Sequence, residues 1–153
     1  MTTSKELSIV AMLGHTSHKM RLMLDRSFHK KNPDINVEQF VLLNILRAND
    51  GINQQNLSRM LDKDKTTIAR LVSKMEKNNL LLRVHSREDK RSNNIYITNY
   101  GKEVLLELGP IIKQIQNAFV KNLSEEEIEI FFGVLSKISN EIIELDKVVS
   151  ATK

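Results

Sequence analysis

Cysteine is missing altogether from the 153 residues. Its absence excludes disulfide staples, thiolate metal centres and thiol redox chemistry, and fits a reducing compartment. Long apolar runs are missing too, and none approaches the roughly 18 residues of a membrane span. The opening MTTSKELSIVAMLGHTSHK lacks the basic start and continuous apolar core of a secretory signal. A soluble cytoplasmic protein without a membrane partner is the expectation. Catalytic signatures are equally scarce: there is no Gly-rich phosphate loop, no H-E-x-x-H pair, no G-x-S-x-G elbow and no cysteine nucleophile. The sequence therefore calls for no enzymatic activity, no metal and no cofactor. No internal repeat, low-complexity tract or flexible linker interrupts the chain, which points to a single domain over 1–153.

What is present is a hydrophobic fraction of 41%, enough for an ordinary core, and a formal charge of +4 that is unevenly spread. Residues 1–53 hold 7 Lys/Arg against 5 Asp/Glu; residues 54–102 hold 11 against 5; residues 103–153 hold 5 against 9. Basic charge is concentrated in the middle third, and the last third is acidic. An anionic partner for the middle segment is implied, with nucleic acid first among the candidates.

Apolar periodicity supplies the elements. Leu7, Val10, Leu13, Met20, Leu24 and Phe28 recur at close to helical spacing, and Pro33 should stop that helix near KKNPD. Asn36 with Gln39 resembles a capping box for a second helix carrying Val37, Phe40, Leu43 and Leu46. Two short helices follow, one with Leu57, Met60 and Leu61, the other with Ile68, Leu71, Val72 and Met75 and with Asp64 as its N-cap. The Asn pair after Lys77 should end that helix, because Asn tolerates the left-handed conformation. LLLRVH and NIYIT then read as two strands joined by a loop. Thr98 can cap a long helix with Val104, Leu105, Leu108, Ile111, Ile112, Ile115 and Phe119, in which Gly109-Pro110 interrupts the pattern and should introduce a bend. Ser124 with Glu127 forms a second capping box before Ile128, Phe131, Leu135, Ile138, Ile142, Leu145 and Val149. Met12, Met20, Met23, Met60 and Met75 are expected to fill the core.

A scaffold helix, a tight polar turn and a second helix with a basic, hydroxyl-rich outer face form a helix-turn-helix pattern. With Ile68, Leu71, Val72 and Met75 turned inward, Lys65, Thr66, Thr67, Arg70, Ser73, Lys74 and Lys77 remain outside. Lys63 stands in the turn before them. Thr can donate, accept or touch a thymine methyl, and Arg can grip guanine with two hydrogen bonds. Such a face is also what any polar helix presents. The hairpin that follows weights the balance toward DNA, because a two-stranded ribbon with a basic tip completes a winged-helix arrangement. Its tip would meet the minor groove or flanking phosphates, where arginine suits a narrow groove. Asp89 would repel phosphate alone, so its expected use is to hold a neighbouring arginine by paired hydrogen bonds.

The run DKDKTTIARLVSKMEKNNLLLRVHSREDKRSNNIYITNYGKEV resembles the MarR family of bacterial transcriptional regulators. Its pattern appears here as Thr67 and Arg70 on the second short helix, MEKNNLLLR ending at Arg83, the D-x-R wing signature at Asp89-Lys90-Arg91, and the T-x-x-G of Thr98 to Gly101. Asn79 stands where the family has glycine, and Ile97 where it has leucine. The resemblance implies a mainly α fold with a small β-wing, in which a winged helix-turn-helix lobe (36–100) is flanked by dimerisation helices (1–32 and 101–153). It implies a homodimer binding double-stranded DNA at a palindromic or pseudo-palindromic site, a repressor released by a small aromatic or anionic effector. Lys63, Lys65, Thr66, Thr67, Arg70, Ser73 and Lys74 would serve the recognition helix, and Arg87, Asp89, Lys90 and Arg91 the wing, with Arg91 lining the minor groove. His15 and His18, three apart on the first helix, could line the effector cleft. No third ligand accompanies them, so a metal site is not implied. A winged helix can also serve protein–protein association without DNA; the basic helix face and wing tip weigh against that alternative.

Overall fold

The structure, a computed structural model, describes residues 4–85 and 93–151, with side chains from residue 8 onward. Its elements are α1 (Ser4–Lys31), α2 (Val37–Ala48), β1 (Ile52–Asn53), α3 (Gln54–Met60), α4 (Lys65–Lys77), β2 (Leu81–His85), β3 (Asn93–Ile97), α5 (Asn99–Val120) and α6 (Glu125–Ala151). The fold is mainly α with a small antiparallel sheet, as expected from the alternation of helical and strand periodicities.

The helix ends follow the local chemistry of the sequence. α1 stops before Pro33. At the start of α2, Asn36 Oδ1 accepts from the Gln39 N–H and Gln39 Oε1 accepts from the Asn36 N–H, both at 2.9 Å. Asp25 on α1 adds a cap from outside the helix, its Oδ1 accepting from the Val37 N–H at 2.7 Å. That bond satisfies a first-turn donor which the helix cannot satisfy itself. Ser124 and Glu127 form the second capping box, at 2.8 and 3.1 Å. After α4, Asn79 takes the left-handed conformation, φ 56°, which a short polar side chain tolerates in place of glycine. Pro110 does not interrupt α5, which is one helix from Asn99 to Val120. The carbonyl that Pro110 leaves without a donor belongs to Leu106, 76% exposed and within reach of water.

The sheet has the order β1-β3-β2. Leu81 pairs with Ile97 and Arg83 with Ile95 along the hairpin, while Ile52 of β1 pairs with Ile95 from the other side. β1 is an addition to the two strands expected. It is seeded by Gly51, at φ 82°, whose N–H donates to the Ile95 carbonyl at 3.0 Å. A Cβ there would come within 2.8 Å of the Tyr96 ring, so the position suits glycine alone.

The chain divides into two compact units, Met1–Ile112 and Lys113–Lys153. The first holds one continuous core running from Phe28 through Leu42, Leu43, Leu46, Leu57 and the inner face of α4 to Ile95, Ile97 and Leu108. Of the methionines expected in the core, Met75 is buried and Met23 half-buried, but Met12, Met20 and Met60 are exposed. Periodicity puts these side chains on the apolar face of a helix; it does not supply a neighbour to cover that face. The same holds for Ile9 and Val10 on α1. In the second unit α6 buries none of its residues: Phe131, Phe132, Ile142, Leu145 and Val149 all lie more than half exposed. No helix among the described residues is long and apolar enough to cross a membrane.

Candidate nucleic-acid interface

α4 is fixed from three sides. Its N-cap, Asp64, accepts from the Thr67 N–H at 2.8 Å with one carboxylate oxygen and from the Thr67 hydroxyl at 2.6 Å with the other. The hydroxyl bond and then the backbone bond hold the Asp64 carboxyl below its usual pKa range. The α3–α4 turn before it passes through Asp62 at φ 49°. There the Ser58 hydroxyl donates to the Lys63 carbonyl, and the Lys63 N–H donates to the Ser58 carbonyl at 3.1 Å. Lys63 Nζ reaches across to Glu38 Oε1 on α2 at 2.8 Å. The inner face, Ile68, Leu71, Val72 and Met75, is buried in the core.

What α4 turns outward is a stripe at helical spacing: Thr66, Ala69, Arg70, Ser73, Lys74 and Lys77. These residues line a shallow open groove of about 440 Å³. Arg70, Lys74 and Lys77 make no ion pair among the described residues, so their charges face solvent. Lys65 is exposed beside them.

The base of the hairpin is clamped to the last turn of α4. Glu76 Oε2 accepts from Arg83 Nε at 2.9 Å and from Arg83 Nη2, while Oε1 accepts from the Arg83 N–H at 3.2 Å. The guanidinium bonds hold the Glu76 carboxyl below its usual range. On the far side of the sheet, Asp50 Oδ1 accepts from the Ile97 N–H at 2.9 Å. Thr98 links the hairpin to α5: its hydroxyl donates to the Asn79 carbonyl at 2.6 Å and accepts from the Gly101 N–H at 2.9 Å.

The sequence-predicted residues are thus distributed unevenly. Thr66, Arg70, Ser73 and Lys74 come together on the stripe. Thr67 lies off the groove with its hydroxyl proton given to Asp64, and Lys63 is paired with Glu38. Arg87, Asp89, Lys90 and Arg91 fall outside the described residues. His15 and His18 are exposed on α1. Ala69 was not anticipated: a search for charge and hydrogen-bonding capacity passes over a methyl group, although its position three after Thr66 and four before Ser73 marks it as outward-facing.

The family model described as MarR family matches residues 35–92, which run from the start of α2 through β2 and end just before β3. Transcriptional regulator HosA of Escherichia coli O157:H7 is 30% identical over 108 residues, covering 71% of this chain and 80% of that protein. Among solved structures, the chain is similar to MepR in the S. aureus MepR–DNA complex, with a TM-score of 0.79 and 27% identity, covering 86% of this chain and 96% of that one. It is similar also to a MarR protein from Peptoclostridium difficile, with a TM-score of 0.80 and 25% identity over 88% of this chain and 86% of that one. The chain belongs to the MarR family of transcriptional regulators.

Proposed function

We propose that two copies of this chain form a homodimer that binds double-stranded DNA at a palindromic or pseudo-palindromic site and acts as a repressor released by a small aromatic or anionic effector. The observation that carries DNA binding is the outward stripe of α4, where Arg70, Lys74 and Lys77 make no ion pair among the described residues, on a helix locked by its cap and its core face. The structural relative MepR is itself described in complex with DNA. Thr66 and Arg70 would reach base edges, and Lys65, Ser73, Lys74 and Lys77 phosphates. Lys63 would contribute beside the helix start. Thr67 would hold Asp64 in its capping pose and stand at the edge of the contact. At the wing, Arg87, Lys90 and Arg91 would meet the flanking backbone and minor groove, with Asp89 orienting an arginine.

Residues 36–100 would form the DNA-binding lobe, with 1–32 and 101–153 the assembly region. The uncovered apolar residues of α1 and α6 support the assembly. A surface of this kind on separate helices is what an intertwined two-fold interface would cover. The effector and the repressor role are what family membership implies, and His15 and His18 are candidates for lining the effector cleft. The carboxylate cluster at the start of α6 serves its helix terminus and carries no proposed chemistry.

Selection of bound duplexes from a random library, followed by sedimentation of the complex, tests the proposal. Enriched sites should be inverted repeats with half-sites about one helical turn apart, roughly 34 Å, and the complex should contain two protomers per duplex. Absence of any enriched sequence would overturn it.

A further inference from the structure

The stripe on α4 divides chemically along its length. Its C-terminal part, Ser73, Lys74 and Lys77, is a hydroxyl and two ammonium groups, point charges suited to phosphate. Its N-terminal part, the end that reaches base edges in a helix-turn-helix, holds Thr66, Ala69 and Arg70. Here two methyl groups stand on the N-terminal side of one guanidinium. Among the described residues, no carboxylate that would select cytosine, and no Asn or Gln that would grip adenine, lines the groove.

Thr67 does not fill the gap, because its hydroxyl proton is already given to Asp64 and it lies off the groove. What the described face of α4 offers the bases is one bidentate donor with methyl groups on its N-terminal side. The complementary feature of the major groove is the C5 methyl of thymine, which accepts apolar contact from Ala or from a Thr methyl. Ala69 is half-buried, so its methyl sits low on the helix and leaves room for a base edge to approach beside Arg70.

We propose that Ala69 and Thr66 are specificity-determining residues that read thymine C5 methyl groups next to the base gripped by Arg70. This rests on α4 being the DNA-reading helix. The expected half-site holds a guanine adjacent to one or two thymines, on one strand or the other.

The test uses a duplex selected by the intact protein, in which each thymine is replaced in turn by deoxyuridine. Pairing is unchanged and only the methyl is lost. One or two thymines per half-site, adjacent to the guanine, should weaken binding about fourfold when demethylated, the weight of one buried methyl group. Ala69→Gly should abolish the thymine-to-uracil preference at one position, and Thr66→Ser, which keeps the hydroxyl, at the other. The readout is a ratio of affinities on two duplexes measured with the same protein, so a reduced folded fraction in the glycine variant cancels. If no thymine shows methyl dependence while Arg70→Ala still relaxes a guanine preference, the methyl proposal is overturned and the DNA-binding function stands. Methyl dependence that survives both variants overturns it equally. A protein that selects no duplex overturns both.

Discussion

At the scale of single residues, the two arginines described on α4 and β2 do different work although their side chains are identical. Arg70 has no ion pair among the described residues and is exposed on the outward stripe. Arg70→Ala should weaken the selected site by about 1–3 kcal/mol and relax preference at one base pair, whereas Lys74→Ala should weaken all sequences alike and lower the salt slope by about one. Competition binding on matched and mismatched duplexes separates the two patterns. Arg83 is held by Glu76, with side chains 30% and 35% exposed. In such partly solvated surroundings the pair contributes on the order of 0.5–1 kcal/mol, which corresponds to about 2 °C in Tm. Glu76→Gln should cost that amount at neutral pH. Because the folded carboxyl titrates below its unfolded value, the contribution is fully present above the ordinary glutamate pKa, about 4.3, and is lost as the pH falls through the depressed one. Wild type and variant should therefore converge in Tm under acid conditions; a constant gap would show that the charge of Glu76 is not what matters.

At the scale of elements, the capping residues were the most legible part of the chain. Asn36 with Gln39, Asp64, Thr98 and Ser124 with Glu127 each sit where side-chain chemistry placed a helix start, because a cap is decided within four residues. β1 was not legible for the opposite reason. Two residues have no period, and the strand exists only because Gly51 turns the chain back onto Ile95, a contact 44 positions away along the sequence. Met12, Met20 and Met60 were placed on the correct faces but in the wrong environment, since hydrophobicity specifies a need for cover and not its source. In the candidate site, charge made Arg70, Lys74 and Lys77 visible, while Ala69 carried no signal beyond its position. Gly101 shows how an element boundary can be fixed by close approach. A Cβ on it would lie 2.2 Å from the Leu80 carbonyl oxygen and 2.9 Å from Ile97 Cγ1. Alanine normally stabilises a helix relative to glycine by about 0.5–1 kcal/mol; here Gly101→Ala should instead destabilise by about 1–3 kcal/mol, as overpacking does. Chemical denaturation gives the sign directly.

At the scale of the whole molecule, the exposed apolar residues of α6 are where the proposed assembly is best tested. Because Phe131 and Leu145 are each more than half exposed, unlike the half-buried Ile128, Leu135 and Ile138, their substitution should disturb intrachain packing little. Phe131→Glu combined with Leu145→Glu should convert a dimer at micromolar concentration into a folded monomer by sedimentation, with unchanged circular dichroism. A wild-type chain that already sediments as a monomer would sink the assembly proposal and the palindromic site with it. The bridge between Lys63 and Glu38 has a consequence for affinity. A lysine paired with a carboxylate neutralises a phosphate, and so releases cations condensed on the DNA, only by giving up that partner. If Lys63 lies within reach of DNA, as proposed, Glu38 would act as a resident counterion, holding part of the middle third's positive charge in reserve. Glu38→Gln should release Lys63, tighten binding at low salt and steepen the dependence of log Kobs on log[salt] by about 0.9; an unchanged slope in a salt titration would place Lys63 out of reach of the DNA.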